Sequence, residues 1–115
     1  MIFYNINKRK KAITASFEDG WLESLCMMCH NINPLDTMEN IAPIVYRVLL
    51  GFPEQHATTR LSDGDVWNEY EGKRIAREKL FNKFNRAKLQ VKLAYKRHLE
   101  HMHEASIQRL RLNKK

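Results

Sequence analysis

The sequence has few of the residues that build disulfide scaffolds, and it lacks the long apolar run of a membrane span. Its 115 residues include only two cysteines, three prolines and four glycines. Two cysteines are too few for a disulfide framework, and without about eighteen consecutive apolar residues a transmembrane helix is excluded. The first residues also lack the basic and apolar regions of a signal peptide, so we expect a cytoplasmic protein with reduced thiols.

Apolar residues make up 43% of the chain and charged residues 29%, the balance of an ordinary globular protein. A chain of this length fits one domain with a modest core. No glycine-rich phosphate loop, nucleophile elbow or zinc-protease motif is present. We therefore expect a binding protein without a cofactor rather than an enzyme.

The net charge of +7 is concentrated in one segment. Residues 1–72 contain six Lys/Arg and ten Asp/Glu, whereas residues 73–97 contain ten Lys/Arg and one acid, Glu78. Residues 98–115 add four basic and two acidic side chains. A basic segment after a mildly acidic half predicts an anionic partner.

The first 61 residues predict a β-hairpin, two short helices and a third strand. Residues 2–6 and 12–17 alternate in side-chain character on either side of a polar turn, as hairpin strands do. Apolar residues at helical spacing follow in 21–29 and 41–49, and Asp36 is predicted to cap the second helix. Residues 57–61 are rich in strand-forming side chains and predict a third strand beside the hairpin.

Pro43 leaves the second helix open to other interpretations, because proline lacks a backbone N–H. It is compatible with the first turn of a shorter helix. Alternatively, the segment from Ile44 to Leu50 forms a buried strand. We favour the helix, since Gly51 and Pro53 follow at positions typical of a helix end.

One long helix is predicted from Val66 to about Arg111, after a turn at 62–65 that ends in an N-cap. The stretch contains no proline and one glycine, Gly72. At about 100° per residue, an apolar stripe forms along one face. Its members are Ala76, Leu80, Phe84, Ala87, Val91, Ala94, Tyr95, His98, Met102 and Ala105.

These elements predict an α+β fold of order ββααβα. A small antiparallel sheet, made of the hairpin and the third strand, is combined with two short helices and a long basic C-terminal helix. We expect residues 1–65 to form a small α+β domain. Residues 66–115 then form a helix that packs on this domain and projects beyond it.

The basic side chains of the long helix are the predicted binding site. Like charges at four-residue spacing destabilise a helix, and an anionic partner would offset that cost. Phosphates are such a partner, since each neutralised phosphate also releases counterions. The predicted contact residues are Lys73, Arg74, Arg77, Lys79, Lys83, Arg86, Lys88, Lys92, Lys96 and Arg97, with Lys88, Lys92 and Lys96 aligned on one side of the apolar stripe.

Several partners are compatible with this basic helix. Nucleic acid, either DNA or RNA, is our first prediction, and an acidic host protein surface is the second. Near-heptad spacing of apolar residues from Phe84 to Met102 would also allow two copies to pair through the long helix. No membrane partner is predicted.

A short cysteine motif invites a metal interpretation. Residues 26–30 match the C-x-x-C-H spacing of covalent haem attachment, which requires export to an oxidising compartment. Cys26 and Cys29 could instead bind zinc with His30 or His56, but the sequence has no second cysteine pair. We interpret the cysteines as buried thiols and predict no metal site.

Two stretches resemble small accessory proteins of tailed bacteriophages and prophages. They are the opening strand, Phe3 to Asn7, and the segment Asp65 to Ala76, in which an acidic turn and an aromatic residue precede Gly-Lys-x-x-Ala and a basic helix. The resemblance implies a location in the cytoplasm of a bacterial host. It also implies a role in phage nucleic-acid metabolism or in inhibiting a host defence or replication complex, as anti-CRISPR proteins do.

Overall fold

The structure of the protein is a computed structural model that describes residues 1–61 and 66–113, except for the side chains of 111–113. Its elements are β1 (Ile2–Asn7), β2 (Ala12–Phe17), α1 (Trp21–Ile32), α2 (Met38–Leu49), β3 (His56–Arg60) and α3 (Glu69–Asn113). The predicted α+β class and the order ββααβα are confirmed. The turn predicted at 62–65 lies outside the described residues. In the described part of the chain, no helix combines the length and apolar character needed to span a membrane.

The three strands form one antiparallel sheet in the order β1-β2-β3, with β2 in the centre. Ala15 pairs with Tyr4 of β1 and with Ala57 of β3, so these side chains share one face of the sheet. Ile13, two residues before Ala15, points the same way. This face is the apolar one, since Ile13, Ala15 and Ala57 are all buried.

The first half of α3 covers the apolar face of the sheet. Ile13 is 1% exposed, and Ala76 and Leu80 are completely buried. A Cβ atom added to Gly72 would stand 2.6 Å from the Ile13 Cδ1 atom. A helical glycine costs about 0.5–1 kcal/mol relative to alanine, but here it lets the first turns of α3 approach the strand.

The two short helices pack against each other and against the middle of the long one, between Phe84 and Tyr95. Their apolar periodicity places one face of each toward a shared interior. The buried side chains of this part of the core are Trp21, Leu25, Cys26 and Cys29 of α1, Ile41, Val45 and Leu49 of α2, and Ala87, Val91 and Tyr95 of α3.

The N-terminus of α2 differs in detail from the prediction. Thr37, rather than Asp36, is the N-cap, and its side-chain oxygen accepts a hydrogen bond from the Asn40 N–H at 3.4 Å. Asp36 accepts hydrogen bonds from the Thr37 N–H and from the Asn40 side-chain amide. Asp36 and Thr37 both offer a side-chain acceptor, and the N-cap is Thr37, the second of them.

α3 begins at Glu69 rather than at the predicted Val66, because Asn68 caps it by accepting a hydrogen bond from the Glu71 N–H at 3.1 Å. The predicted apolar stripe is buried or partly buried as far as His98. Its last two predicted members, Met102 and Ala105, are exposed. A helix of 45 residues is about 68 Å long, and the other elements are too short to cover all of it.

Pro43 lies inside α2, so both alternative interpretations, a shorter helix and a strand over 44–50, are wrong. Ile41, Val45 and Leu49 recur at four-residue spacing and are buried, while the Pro43 ring is exposed. The burial of these three side chains holds the helix together across the missing hydrogen bond.

We expect Pro43→Ala to stabilise the protein by about 1–3 kcal/mol, because alanine restores a helical N–H without removing a buried group. Urea unfolding measures the free energy. Pro34→Ala, outside the helices, is the control and should instead lose about 0.4–1 kcal/mol by loosening the unfolded chain. A Pro43→Ala protein less stable than the parent would contradict a continuous α2.

Candidate functional site

The predicted contact residues all lie on α3, and the first two already have acidic partners on the same helix. Lys73 Nζ lies 3.5 Å from Glu69 Oε1. Arg74 donates hydrogen bonds to Glu71 and to Glu78, the latter at 2.8 Å. The Arg74 hydrogen bond lowers the pKa of the Glu71 carboxyl. These pairs, at spacings of three and four residues, offset the positive charge locally, so Lys73 and Arg74 have less charge to offer an external anion.

Three further cations converge on a groove between α3 and the edge strand β3. The groove has a volume of about 320 Å³. Its lining residues are Ala57, Thr58, Lys79, Asn82, Lys83 and Arg86. None of these lining residues is acidic, so the groove concentrates positive charge in a concave site.

Lys83 is positioned in this groove by a backbone contact. Its Nζ donates a hydrogen bond to the His56 carbonyl at 2.8 Å, on the free edge of β3. The Leu61 N–H donates in the opposite direction, to the carbonyl of Lys11, the residue before β2. Because backbone groups alternate along a strand, the Thr58 N–H faces the free edge as well. Ammonium, guanidinium, amide and backbone N–H groups are the donors that bind phosphate oxygens in proteins.

The other flank of α3 carries Lys88, Lys92 and Lys96, which are all exposed. They follow one another at about 6 Å along the helix axis. Lys88 lines a cavity of about 450 Å³ beside Met28 and Ile32 of α1. Lys92 and Lys96 lie outside that cavity, so its lining contains one cation, whereas the lining of the groove on the β3 side contains three.

The remaining two predicted residues lie outside both groups. Arg77 and Arg97 are exposed. Arg97 falls on the groove side of α3 but about 16 Å beyond Arg86, and Arg77 falls on the opposite side from Lys79. The structure therefore brings together Lys79, Lys83 and Arg86, and it aligns Lys88, Lys92 and Lys96 separately.

An apolar strip runs between the two flanks on the outer surface of α3. Leu89 is 55% exposed and Leu93 is 42% exposed. Val91 and Tyr95, which the heptad spacing assigned to a helix pair, are instead buried against elements of the same chain. A second copy could therefore reach only the exposed members of that series, such as Met102.

Tyr95 fastens α3 to the start of α2. Its hydroxyl donates a hydrogen bond to Asp36 Oδ2 at 2.6 Å, and its ring stacks on His98 with centroids 6.2 Å apart. Burial, followed by the hydrogen bond to Asp36, raises the pKa of Tyr95 to about 12. The same hydrogen bond lowers the pKa of the Asp36 carboxyl. This contact fixes the position of α3 along the helix pair.

The residues considered for metal binding lie apart. Cys26 and Cys29 are buried in the core, and burial raises the pKa of the Cys29 thiol to about 11. His30 Nδ1 lies 3.2 Å from the Asp36 carbonyl, and His56 is exposed on β3. Within residues 1–61 and 66–113, no three His, Cys, Asp or Glu side chains are placed to hold a metal ion. Thiols with so high a pKa are poor metal ligands and poor nucleophiles.

The groove contains partners that the sequence analysis missed. The spacing of Lys79, Lys83 and Arg86 indicated one helix face, but nothing in the sequence indicated that β3 would form the opposite wall with Thr58.

Comparisons of the chain with protein-family models, with curated proteins and with solved structures gave no match.

Removing the Tyr95 hydroxyl tests whether its hydrogen bond to Asp36 stabilises the fold. We expect Tyr95→Phe to lower the free energy of unfolding by about 1 kcal/mol near neutral pH, since a hydrogen bond to a partly exposed carboxylate is lost. Tyr46→Phe is the matched control, because Tyr46 is 60% exposed, and it should change little. Equal stability of the two variants would contradict the anchoring role.

The stability difference between the parent and Tyr95→Phe should depend on pH. The lowered pKa of Asp36 contributes stability above its unfolded value of about 3.9, and this is lost as the pH falls through the folded value. The raised pKa of Tyr95 contributes stability below about pH 10, and this is lost as the pH rises toward about 12. Unfolding curves across pH should thus show the largest difference between these limits.

Proposed function

We propose that this protein binds nucleic acid through the cationic side chains of α3, without catalysing a reaction. The observation that carries the proposal is the groove in which Lys79, Lys83 and Arg86 meet the free edge of β3. Ion pairs within the described residues of α3 involve only Lys73 and Arg74 among its cations. The groove cations therefore keep their charge for an external anion.

The cost of this charge supports a binding role. Like charges repel along both flanks of α3, and a helix surface selected only for stability would carry opposite pairs instead. The first turns of α3 do carry such pairs, at Lys73 and Arg74, so the contrast lies within one helix. Phosphate binding offsets the repulsion and releases counterions, which makes the affinity depend on salt.

An acidic protein surface is the second candidate, and one observation favours it. Leu89 and Leu93 are exposed between the two cationic flanks, as an apolar centre within a charged rim is arranged in protein interfaces. The resemblance to phage accessory proteins gives both candidates the same setting, the cytoplasm of a bacterial host. There the second candidate would inhibit a defence or replication complex.

Two triple variants with the same change in charge test the proposal. The first replaces Lys79, Lys83 and Arg86 with Gln, and the second replaces Lys88, Lys92 and Lys96 with Gln. We expect the groove variant to weaken binding to labelled RNA and DNA and to reduce the log–log salt slope by about 2–3 units. The second variant should weaken binding less, because only Lys88 of its three lysines lines a cavity, whereas all three cations of the groove line one site. Both variants should remain folded, since they relieve repulsion.

Binding of DNA and RNA to the unaltered protein distinguishes the nucleic-acid proposal from the acidic protein partner. If it binds neither DNA nor RNA more tightly than about 100 μM at low salt, the nucleic-acid proposal is wrong. The second candidate then predicts capture of one acidic host protein, and the Lys-to-Gln variants should slow its association more than they speed its dissociation. Identical losses in both triple variants would also argue against the groove as the specific site.

A further inference from the structure

The face of the sheet turned away from α3 is an open surface distinct from the helix flanks. Its side chains form three rows across the strands: Phe3, Ser16 and His56, then Asn5, Thr14 and Thr58, then Asn7, Ala12 and Arg60. All of these residues except Ala12 are exposed or partly exposed. The alternating burial along β1 agrees with this division into two faces, since Ile2, Tyr4 and Ile6 pack on the core and the residues between them do not.

The chemistry of this face is aromatic and polar, without a carboxylate. Phe3 presents a ring that is 53% exposed, and His56 presents an exposed imidazole in the same row. Adjacent strands lie about 4.8 Å apart, so the backbones of Phe3 and His56 stand about 10 Å apart with Ser16 between them. Thr14 and Thr58 share a hydrogen bond between their hydroxyl oxygens at 2.7 Å, which orders the middle row.

Cations border this face on two sides. The hairpin turn at one end carries four exposed basic residues, Lys8, Arg9, Lys10 and Lys11, and the neighbouring row ends in Arg60. Along the β3 edge lies the groove of Lys79, Lys83 and Arg86. Thr58 belongs both to the groove lining and to the outer face, so the two surfaces are continuous.

We propose that the outer face of the sheet binds single-stranded RNA, with bases over Phe3 and His56 and phosphates at the groove and the hairpin turn. The proposal rests on the nucleic-acid function proposed above and names its ligand class. Unpaired bases stack on exposed aromatic side chains, whereas a duplex hides its base faces. The hydroxyl and amide groups of Asn5, Thr14 and Ser16 suit the ribose 2′-hydroxyl, which DNA lacks.

Phe3 is the residue that separates base stacking from charge. The probe is a fluorescein-labelled single-stranded RNA of about 10 nucleotides, titrated at low salt beside single-stranded DNA of the same sequence and the corresponding RNA duplex. We expect the single-stranded RNA to bind most tightly. Phe3→Ala should weaken that binding about 5- to 150-fold and leave the salt slope unchanged, because no charge is removed.

Two further variants keep the test decisive. Phe3→Leu retains an apolar side chain and should weaken binding in the same direction, so a folding defect of Phe3→Ala cannot account for the loss. Tyr46→Ala removes an aromatic ring of similar exposure from α2, away from the sheet, and should leave the affinity unchanged. A loss in Tyr46→Ala equal to that in Phe3→Ala would overturn the proposal.

Other outcomes separate this proposal from the broader one. If the Lys79, Lys83 and Arg86 variant weakens RNA binding but Phe3→Ala does not, the sheet face is not the site, and the nucleic-acid function stands. Equal affinity for the duplex or for single-stranded DNA likewise overturns the assignment to single-stranded RNA. If the parent protein binds no nucleic acid, both proposals fall together.

Discussion

The fold depends on the burial of one apolar stripe of α3 against the sheet and against the α1–α2 pair, which contact each other at Phe17 and Trp21. The sheet has one apolar face, and the α1–α2 pair has another, and α3 packs on both. Leu80 and Val91, about three turns apart on this stripe, are both completely buried. A three-stranded sheet or a pair of short helices is marginal alone, so the long helix supplies the common interior that each of them needs.

The same constraint determines where the charges lie. Once one face of α3 is committed to the core, the cations between residues 79 and 97 fall on the two flanks and the outer surface. One flank meets β3, where the strand edge provides Thr58 and the His56 carbonyl and turns a row of cations into a groove. The other flank passes beside α1, where Lys88 alone of its three lysines lines the neighbouring cavity. Cations of the same helix therefore differ in how many of them meet at one concave site.

Periodicity predicted the elements and most of the core, because burial acts through spacing along the chain. The stripe from Ala76 to Tyr95 and the buried residues of α2 followed from that spacing alone. The caps were less predictable, since Asp36 and Thr37 both offer an acceptor and only the backbone geometry selects between them. The prediction that Met102 is buried was wrong, because helical spacing does not show where the elements that cover α3 end.

The candidate site was predictable only in part, for a related reason. Lys79, Lys83 and Arg86 share a helix face in any amphipathic analysis, and this much followed from the sequence. His56, whose carbonyl accepts the hydrogen bond from Lys83, lies 27 residues before it, so the contact depends on how the chain folds rather than on local spacing. The outer sheet face was missed for the same reason: the exposure of Phe3 follows from which face of β1 the core occupies, and a strand pattern alone does not distinguish a bare face from a covered one.

The Tyr95 contact with Asp36 divides α3 into a part with defined neighbours and a part without them. Before it, Gly72 against Ile13 and Tyr95 against Asp36 hold the helix at two points, so the groove cations have fixed positions relative to β3. After it, the side chains from 101 to 110 are exposed. A charged side chain binds a phosphate more tightly when its position is set before binding, because less conformational entropy is lost. The proposed binding therefore depends on the segment of α3 between these two contacts rather than on its projecting end.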